Sequence, residues 1–433
     1  MAMDGKALVE KLAKLSQVKS IKDIPQLTHA LFPGTHCPLM GAAMAVGGIK
    51  DSLIVVVGTD ECTYYTKSMT VHSEKFGGIG GRCVSVVLDD HDVTFGSAEK
   101  VQDAFKEIIA EYQPKCVFLV TTCVIEIIGD DFDAIAAALS DTYGVPILPV
   151  HTEHFKCEDH LPGLERTITV CAEMMGPRPC DNSVNLLGQR MGDFATTELY
   201  TMLQKAGVKI GLQLPCGCTV EDIKNGAAAK VNIVVNDIAL PLAQKMQEKF
   251  GTPYVYFNKF VVPEKIYETY KNLFGYLDLA LPQELDSLYQ NAKNEVAKAQ
   301  PELAGVTYIY GNTPYDIFEL NSFLSSLGMI PQIIQTNRFS DRDAGYVEEI
   351  LRHTDPYLCK SANIAPLQYV YDVLSPYLYL GHEFANRLRQ KGIAIVHSDR
   401  ASGMLGFEVT GYLLQQLVKS TAEAKEYRRE LGK

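Results

Sequence analysis

Three cysteines of this sequence lie where a thiolate could bind a metal or take part in redox chemistry. Cys37 immediately precedes a proline and a helical pattern of small residues, so it is predicted near a helix N-cap, where backbone N–H groups and the helix dipole favour the thiolate. Cys62 follows the apolar run LIVVV (53–57), and Cys123 follows VFLV (117–120). Because ligands bind at the carboxyl ends of strands in open α/β sheets, the three cysteines could converge in space.

The alternative for each of these cysteines is a small buried hydrophobic residue, which is the usual role of an isolated cysteine. The polar, glycine-bearing loops predicted around them favour a ligand role instead. Their spacing matches no compact zinc-finger or CxxC ferredoxin pattern, so it is a weak signal by itself.

The other eight of the eleven cysteines are mostly predicted to be structural. Cys157, in HTEHFKCEDHLPG, is the exception, because a role at a cluster stays open for it. The closely spaced pair in LPCGCTVEDI cannot easily chelate one tetrahedral metal alone. This pair consists of Cys216 and Cys218. The remaining cysteines are predicted in the core, in a linker or beside apolar residues, and they are Cys83, Cys116, Cys171, Cys180 and Cys359.

The elements that would position these residues are short, continuously apolar strands that alternate with helical patterns. The clearest strands cover residues 53–57, 117–120, 184–187, 231–235, 306–310 and 393–396. Continuous apolar strands are typical of parallel sheets buried on both faces, so the sequence predicts a doubly wound α/β fold, repeated more than once.

Two breaks in the pattern suggest three domains. The segment GPRPCDNS (176–183) precedes a fresh strand, and a long helical stretch, about 282–300, precedes Pro301 and another strand. We therefore expect domains at residues 1–180, 181–300 and 301–433, the first carrying Cys37, Cys62 and Cys123. A chain of 433 residues is too long for one ordinary core, which agrees with this division.

Composition excludes several classes of protein. Hydrophobic residues make up 47% of the chain and charged residues 21%, the balance of a folded globular protein. The net charge of −12 and the lack of a basic block argue against nucleic acid as a partner. No apolar window is long enough for a membrane span. An odd cysteine count argues against a disulfide framework, and we expect a cytoplasmic location.

Residues 32–163 resemble the first domain of nitrogenase component 1, the molybdenum–iron protein family. The resemblance is carried by CPLMGA (37–42), GTDEC (58–62), DDHDVTFGSAEKVQDAF (89–105) and TTCVIEIIGDD (121–131). The run RCVSVVLDDHDVTFG (82–96) is more similar to the β-type than to the α-type chain. Weaker similarity extends to GFEVTGYLL near the carboxyl terminus, so it covers nearly the whole chain.

This resemblance implies three Rossmann-like domains around a central cleft. It also implies an iron–sulfur cluster held by Cys37, Cys62 and Cys123 at a subunit interface, as an 8Fe-7S P-cluster or a [4Fe–4S] centre. A [4Fe–4S] cluster normally takes four protein ligands, so three cysteines leave one position for a partner subunit.

One part of the sequence departs from the family's catalytic α-type pattern. In such chains a cysteine after the second-domain strand and a histidine late in the chain anchor the iron–molybdenum cofactor. Asn236 stands in the position of that cysteine, and a neutral amide is a poor iron ligand. His397 lies near the position of the histidine, where it is expected to cap a turn or line a pocket, while a role as a cluster ligand stays open. This chain is therefore not expected to carry such a cofactor in its own cavity.

The resemblance leaves three functions open. The first is a β-type subunit that relays electrons from an ATP-dependent iron protein, through the interface cluster, to a reduction site in an α-type partner, as in nitrogenase or the methylthio-alkane reductases. The second is a homodimeric reductase of a tetrapyrrole, as in chlorophyll or coenzyme F430 synthesis. The third is a scaffold for metallocofactor assembly without turnover of its own.

Overall fold

The computed structural model describes residues 4–27, 36–71, 79–190, 192–360 and 364–432. Each of the six strands expected from the apolar runs is present, which confirms those predictions. The strands in chain order are β1 (Ala13–Lys14), β2 (Ile49–Lys50), β3 (Ser52–Gly58), β4 (Cys83–Val87), β5 (Cys116–Thr121), β6 (Ile147–Val150), β7 (Val184–Gln189), β8 (Ile210–Pro215), β9 (Cys218–Thr219), β10 (Val231–Val234), β11 (Tyr254–Tyr256), β12 (Thr307–Tyr310), β13 (Ile330–Gln335), β14 (Tyr357–Cys359), β15 (Leu378–Leu380) and β16 (Ala394–Val396).

Helices connect almost every pair of successive strands, as crossovers between parallel strands require. The helices in chain order are α1 (Gly5–Val9), α2 (Pro38–Gly47), α3 (Asp60–Val71), α4 (Asp90–Phe95), α5 (Ala98–Tyr112), α6 (Cys123–Ile128), α7 (Phe132–Tyr143), α8 (Leu161–Val170), α9 (Glu198–Lys205), α10 (Val220–Asn225), α11 (Leu240–Phe250), α12 (Pro263–Leu277), α13 (Leu285–Leu303), α14 (Ile317–Ser326), α15 (Ala344–His353), α16 (Ile364–Leu374), α17 (Ala385–Arg389) and α18 (Phe407–Glu430).

Among the described residues the strands form three larger, mainly parallel sheets, as the sequence predicted, and a separate two-stranded parallel pair, β2 and β9. The first sheet has the order β4-β3-β5-β6 and the second has the order β11-β10-β7-β8. The third has the order β14-β13-β12-β15-β16, with β1 added antiparallel at its edge. The start of the chain therefore packs with the third sheet, while the domain boundaries near residues 180 and 300 stay predictions.

Each sheet is covered on both faces. In β3 the side chains of Ile54 and Val56 pack into one apolar cluster, while Leu53, Val55 and Val57 pack into another on the opposite face. All seven residues of this strand are buried. Alternation between two cores explains why these strands are apolar without interruption, and it confirms the doubly wound α/β class.

Helices α2 and α8 lie in the core that the first and second sheets share. Ala42 of α2 and Leu164 of α8 belong to the same buried cluster as Phe118 of the first sheet and Leu187 of the second. The short pair β2 and β9 joins the same two parts of the chain. Cys37, which precedes α2, is therefore held at the junction of two sheets. No helix in the described part of the chain is both long and apolar enough to cross a membrane.

Candidate functional site

The three cysteines singled out by the sequence lie at the starts of three helices. Cys37 is the N-cap of α2, with a proline as the first helical residue, which confirms its predicted position. Cys62 is the third residue of α3 and Cys123 is the first residue of α6, so both begin helices although loops were expected. These two helices follow the carboxyl ends of adjacent strands, β3 and β5.

Cys37 and Cys62 lie close enough to Cys123 to affect its electrostatics. The pKa of Cys123 is raised by burial and by its neighbours Cys62 and Cys37, while backbone N–H groups at Cys123 and Val124 act in the opposite direction. The Thr59 hydroxyl donates to Cys62 Sγ at 3.5 Å. All three cysteine side chains are half-buried. The structure therefore brings the three residues together, as expected from strand ends that share one edge of a sheet.

The donor set fits a cluster rather than a single ion. Among the described residues, no three His, Cys, Asp or Glu side chains are grouped tightly enough to hold one metal ion. In an iron–sulfur cluster each thiolate binds a different iron, so the thiolates stand farther apart than around one ion. Three half-buried thiols on three helix starts are ligands of the kind that such a cluster takes.

Close backbone contacts fix the position of Cys37. A side chain at Gly163 of α8 would place its Cβ 2.6 Å from the carbonyl carbon of Pro38, and one at Gly41 would lie 2.8 Å from the backbone nitrogen of Leu164. Both distances are shorter than van der Waals contact permits, so only glycine lets α2 and α8 approach this closely. The beginning of α2 is thereby held against α8.

A similar contact fixes the other two cysteines relative to each other. A Cβ at Gly58, the last residue of β3, would lie 2.6 Å from Thr122 Cγ2. Gly58 stands four residues before Cys62, and Thr122 immediately precedes Cys123. The tight approach of these two strand ends brings the starts of α3 and α6 together.

The acidic residues of TTCVIEIIGDD have structural partners. Glu126 accepts hydrogen bonds from the Thr121 and Thr152 hydroxyls and from the backbone N–H of Glu153, at 2.8, 3.1 and 2.6 Å. Asp130 accepts from the backbone N–H and hydroxyl of Ser97, and Asp131 caps α7. The motif thus anchors the segment around Cys123 to three neighbouring elements.

Large apolar side chains on and near the cysteine helices are exposed. Tyr64 of α3 and Ile127 of α6 are 73% and 71% exposed, and Phe155, in the neighbouring loop, is 71% exposed. Tyr65 is exposed as well, and its hydroxyl lies 3.0 Å from Nδ1 of His36, next to Cys37. Large apolar side chains exposed in a group are typical of a surface that another protein covers.

Cys157 has hydrogen-bond partners of its own. Its Sγ lies 3.6 Å from the carbonyl oxygen of Thr152, to which it donates, and 3.8 Å from a guanidinium nitrogen of Arg166. Burial raises the pKa of its thiol. Of the other seven cysteines, Cys180 is exposed and Cys216 is partly buried. The remaining five are buried, as expected for residues that pack in the core, and they are Cys83, Cys116, Cys171, Cys218 and Cys359.

Asn236 caps a short turn, and the side chain of His397 is exposed. Asn236 is the N-cap of a 3-10 turn, Asp237–Ala239, and its Oδ1 accepts from the backbone N–H of Ile238 at 3.2 Å. His397 follows β16 with an exposed side chain, and its carbonyl oxygen accepts from the Tyr412 hydroxyl. The amide at position 236 therefore has a local structural role.

Charged side chains from loops that follow strands of the second and third sheets lie close to one another. Arg190 follows β7, Asp237 follows β10 and Arg338 follows β13, and Arg338 Nη1 bonds Asp237 Oδ2 at 2.9 Å. His160, just before α8, is near enough to Arg190 that this charge, together with the larger effect of burial, lowers the pKa of His160 to about 4. Lys259, which follows β11, is buried beside Arg190. Sequence inspection missed these residues, because single charged residues in polar loops resemble any surface charge.

Comparison with known proteins places this geometry in a family. The sequence model of the nitrogenase component 1 type oxidoreductases matches residues 37–421. The nitrogenase iron-molybdenum cofactor biosynthesis protein NifE of Clostridium pasteurianum is 30% identical over 224 residues, which is 51% of this chain and 49% of that protein. The nitrogenase molybdenum-iron protein alpha chain of the same organism is 26% identical over 240 residues, 53% of this chain and 45% of that one. The chain spans about half the length of these two relatives.

A solved structure shares the fold over nearly its whole length. The structure described as nitrogenase Cp1 at pH 6.5 matches with a TM-score of 0.77, covering 95% of this chain and 96% of that chain, at 15% sequence identity. At this identity the likeness shows the fold alone. The family match covers most of the sequence and begins at Cys37, and the chain belongs to the nitrogenase component 1 type oxidoreductases.

Proposed function

We propose that this chain is the cluster-carrying subunit of a nitrogenase-like two-component reductase. In this proposal Cys37, Cys62 and Cys123 hold an iron–sulfur cluster, an 8Fe-7S P-cluster or a [4Fe–4S] centre, at a subunit interface. The observation that carries the proposal is the convergence of three half-buried thiols at three helix starts. When bound, such a cluster supplies one-electron transfer.

An incomplete ligand set supports the interface position. Three thiolates leave a [4Fe–4S] cluster one ligand short, and a second chain can supply the missing ligand. The exposed Tyr64, Ile127 and Phe155 offer that chain an apolar surface beside the cysteines. The second chain is an α-type subunit or, in a homodimer, another copy of this one.

The source of electrons is assigned to a separate protein. The sequence contains no GxxxxGK[ST] phosphate loop, so ATP hydrolysis in this proposal belongs to an ATP-dependent iron protein that docks with the complex. The chain's own part is to keep the three thiols in place, through the contacts of Gly163 and Gly58. In the β-type form of the proposal, substrate is reduced in the partner subunit.

Two observations favour other roles for the same cluster. Similarity to NifE, a cofactor biosynthesis protein by name, favours a scaffold on which a metallocofactor is assembled. The group of charged side chains beyond the strands of the second and third sheets favours a homodimeric reductase, such as a tetrapyrrole reductase, that binds its substrate within this chain. The resemblance in residues 82–96 points to a β-type chain, whereas the two relatives named above are a NifE and an alpha chain.

An electron-transfer assay distinguishes these roles. The anaerobically purified chain is mixed with reduced iron protein and ATP, with and without a co-expressed α-type partner, and cluster reduction is followed by electron paramagnetic resonance together with substrate turnover. The proposal predicts ATP-dependent cluster reduction, with turnover only when the partner is present. Turnover without the partner would favour the homodimeric reductase, and a cluster that the iron protein never reduces would contradict the redox proposal and favour the scaffold.

A further inference from the structure

Three glutamates connect the helices that cover the second sheet with those that cover the third. Helices α9 and α12 pack in one buried cluster with the second sheet, whereas α14 and most of α18 pack in another with the third. Glu198 is the first residue of α9, and Glu319 and Glu408 lie in the first turns of α14 and α18. Each of the three carboxyl groups contacts backbone N–H groups at the start of a helix that covers the other sheet.

Glu198 and Glu408 cap each other's helices. The Glu198 carboxylate accepts from the backbone N–H groups of Phe407 and Glu408, at 3.0 and 3.3 Å. In return, Glu408 Oε1 accepts from the backbone N–H of Glu198 at 3.1 Å. Gly406, with a φ of +108°, admits the carboxyl group, because a Cβ there would lie 2.8 Å from Glu198 Cδ. The first N–H groups of a helix have no partner within it, and here each helix supplies partners for the other.

Glu319 makes the corresponding contact with α12. Its residue is 0% exposed, and its Oε1 accepts from the N–H groups of Val261 and Val262, the N-cap of α12, at 3.0 and 3.3 Å. The Thr410 hydroxyl of α18 donates to the Val261 carbonyl oxygen at 2.9 Å. Among the described residues, Glu319 Oε2 has no hydrogen-bond partner. A buried carboxyl group with one free oxygen is unfavourable as an anion, so burial favours its neutral form.

The charges around Glu319 do not cancel the effect of burial. Lys265 of α12 favours the ionised carboxylate, and Asp316, the N-cap of α14, opposes it. The ammonium group of Lys265 also contacts the hydroxyl of Tyr346 on α15. Burial is the largest influence, and it raises the pKa of Glu319 to about 7.

Glu198 shows a similar balance. Burial raises its pKa to about 6, and the neighbouring carboxylate of Glu408 acts in the same direction. The Tyr270 hydroxyl of α12 donates to Glu198 Oε1 at 2.9 Å and, like the N–H of Phe407, favours the ionised form. Both Glu198 and Glu319 therefore hold a proton more tightly in these contacts than in water.

We infer that Glu198, Glu319 and Glu408 form a proton-linked lock between the second and third sheets, which opens when Glu198 and Glu319 release protons to the solvent. Separation of the helices would expose both carboxyl groups to water, where they ionise at a lower pH, so opening releases protons and is favoured as the pH rises. The four helices of the lock follow β7, β11, β12 and β16. The lock therefore fixes the spacing of loops at the carboxyl ends of strands, where α/β proteins bind ligands.

Native-state hydrogen exchange of the full-length chain, followed by mass spectrometry between pH 5 and 8, tests the lock. It is independent of the proposed function, since none of the contacts of the lock involves a cysteine. Protection is calculated against the intrinsic exchange rate at each pH. We expect protection in peptides that contain residues 260–263 and 405–410 to fall about tenfold or more over this range, because two carboxyl groups release protons on opening. Exchange there should respond little to low concentrations of denaturant, as in a local opening, whereas exchange in β5 should respond strongly.

Two results would overturn the inference. One is protection at residues 260–263 and 405–410 that stays constant with pH. The other is exchange of these residues only together with β5 and with the same dependence on denaturant, because the helices would then separate only when the whole chain unfolds.

Variants assign the protons. Glu319→Gln and Glu198→Gln keep an acceptor oxygen but cannot ionise, so each should reduce the fall in protection with pH, and the double variant should abolish it. Glu426→Gln, at an exposed position on α18, is the matched control and should behave as the wild type does. A double variant that keeps the full pH dependence would refute the lock. The wild-type measurement decides the inference even where a variant fails to fold.

Discussion

Replacing Gly163 by alanine would press a methyl group against the backbone of Pro38. The added Cβ would lie 2.6 Å from the Pro38 carbonyl carbon and 2.9 Å from its Cα. Because carbon atoms rest at about 3.5 Å or more, α2 and α8 would have to separate by about 1 Å. The obstacle is backbone, which cannot rotate away as a side chain can.

The expected loss of stability follows from this overlap. Overpacking of this kind costs typically about 1–3 kcal/mol. Alanine recovers at most about 1 kcal/mol in helix propensity, and less in the first turn of α8, where Gly163 lies. We therefore expect Gly163→Ala to lower the free energy of unfolding by roughly 1–2 kcal/mol. It should also reduce iron content, because α2 carries Cys37 at its start.

The matched control is Gly275→Ala in α12. A Cβ there would meet nothing within 4 Å, and the residue is exposed. This variant should be unchanged or more stable by up to about 1 kcal/mol, with normal iron content. Denaturant unfolding and anaerobic iron analysis of both variants check the prediction. A Gly163→Ala protein with wild-type stability and full iron content would refute the packing argument.

Three further predictions concern pH, capping and ATP. Burial raises the pKa of Glu319 to about 7 and that of Glu198 to about 6 in the folded chain. Because the unfolded chain loses these two protons at a lower pH than the folded chain, the free energy of unfolding should fall as the pH rises from about 4.5 to 7. Glu319→Gln should flatten this fall, measured as the denaturation midpoint across that range, and an unchanged slope would contradict the assignment. The Asp131 side chain caps α7 by accepting a hydrogen bond from the Ala134 N–H at 2.9 Å. Asp131→Ala should therefore lower the free energy of unfolding, measured by chemical denaturation, by about 1 kcal/mol. Asp141→Ala, at an exposed position on the same helix, should change it little. The purified chain alone should release no phosphate from ATP in a coupled assay, because its sequence lacks the GxxxxGK[ST] phosphate-binding loop. Steady ATP hydrolysis by a homogeneous preparation would contradict this prediction.

The elements that the sequence predicted best are those whose local pattern matches their environment. Strands buried on both faces, such as β3 and β5, are apolar throughout and need no tertiary information. Cys37 could be placed because the proline that follows it marks the first turn of a helix. By contrast, β1 has only two residues within a helical pattern and pairs with distant β14, so only the tertiary fold reveals it.

The parts of the site that escaped prediction depend on contacts between distant segments. Arg190 and Lys259 are separated by 69 positions in the sequence, and nothing local distinguishes them from solvated charges. Their significance comes from sharing one edge of the second sheet. Asn236 was identified from the sequence as a departure from the cofactor-binding pattern, but its use as a cap required the geometry of the following turn.

The central claim is that Cys37, Cys62 and Cys123 together hold an iron–sulfur cluster. The most direct measurement is the iron and acid-labile sulfide content of the anaerobically purified chain, compared with Cys62→Ala and with Cys180→Ala, whose cysteine is exposed outside the site. Cys180→Ala should contain as much iron and as much sulfide per chain as the wild type, and Cys62→Ala should lose most of both. Wild-type protein without iron, or a Cys62→Ala variant with its full complement, would contradict the claim.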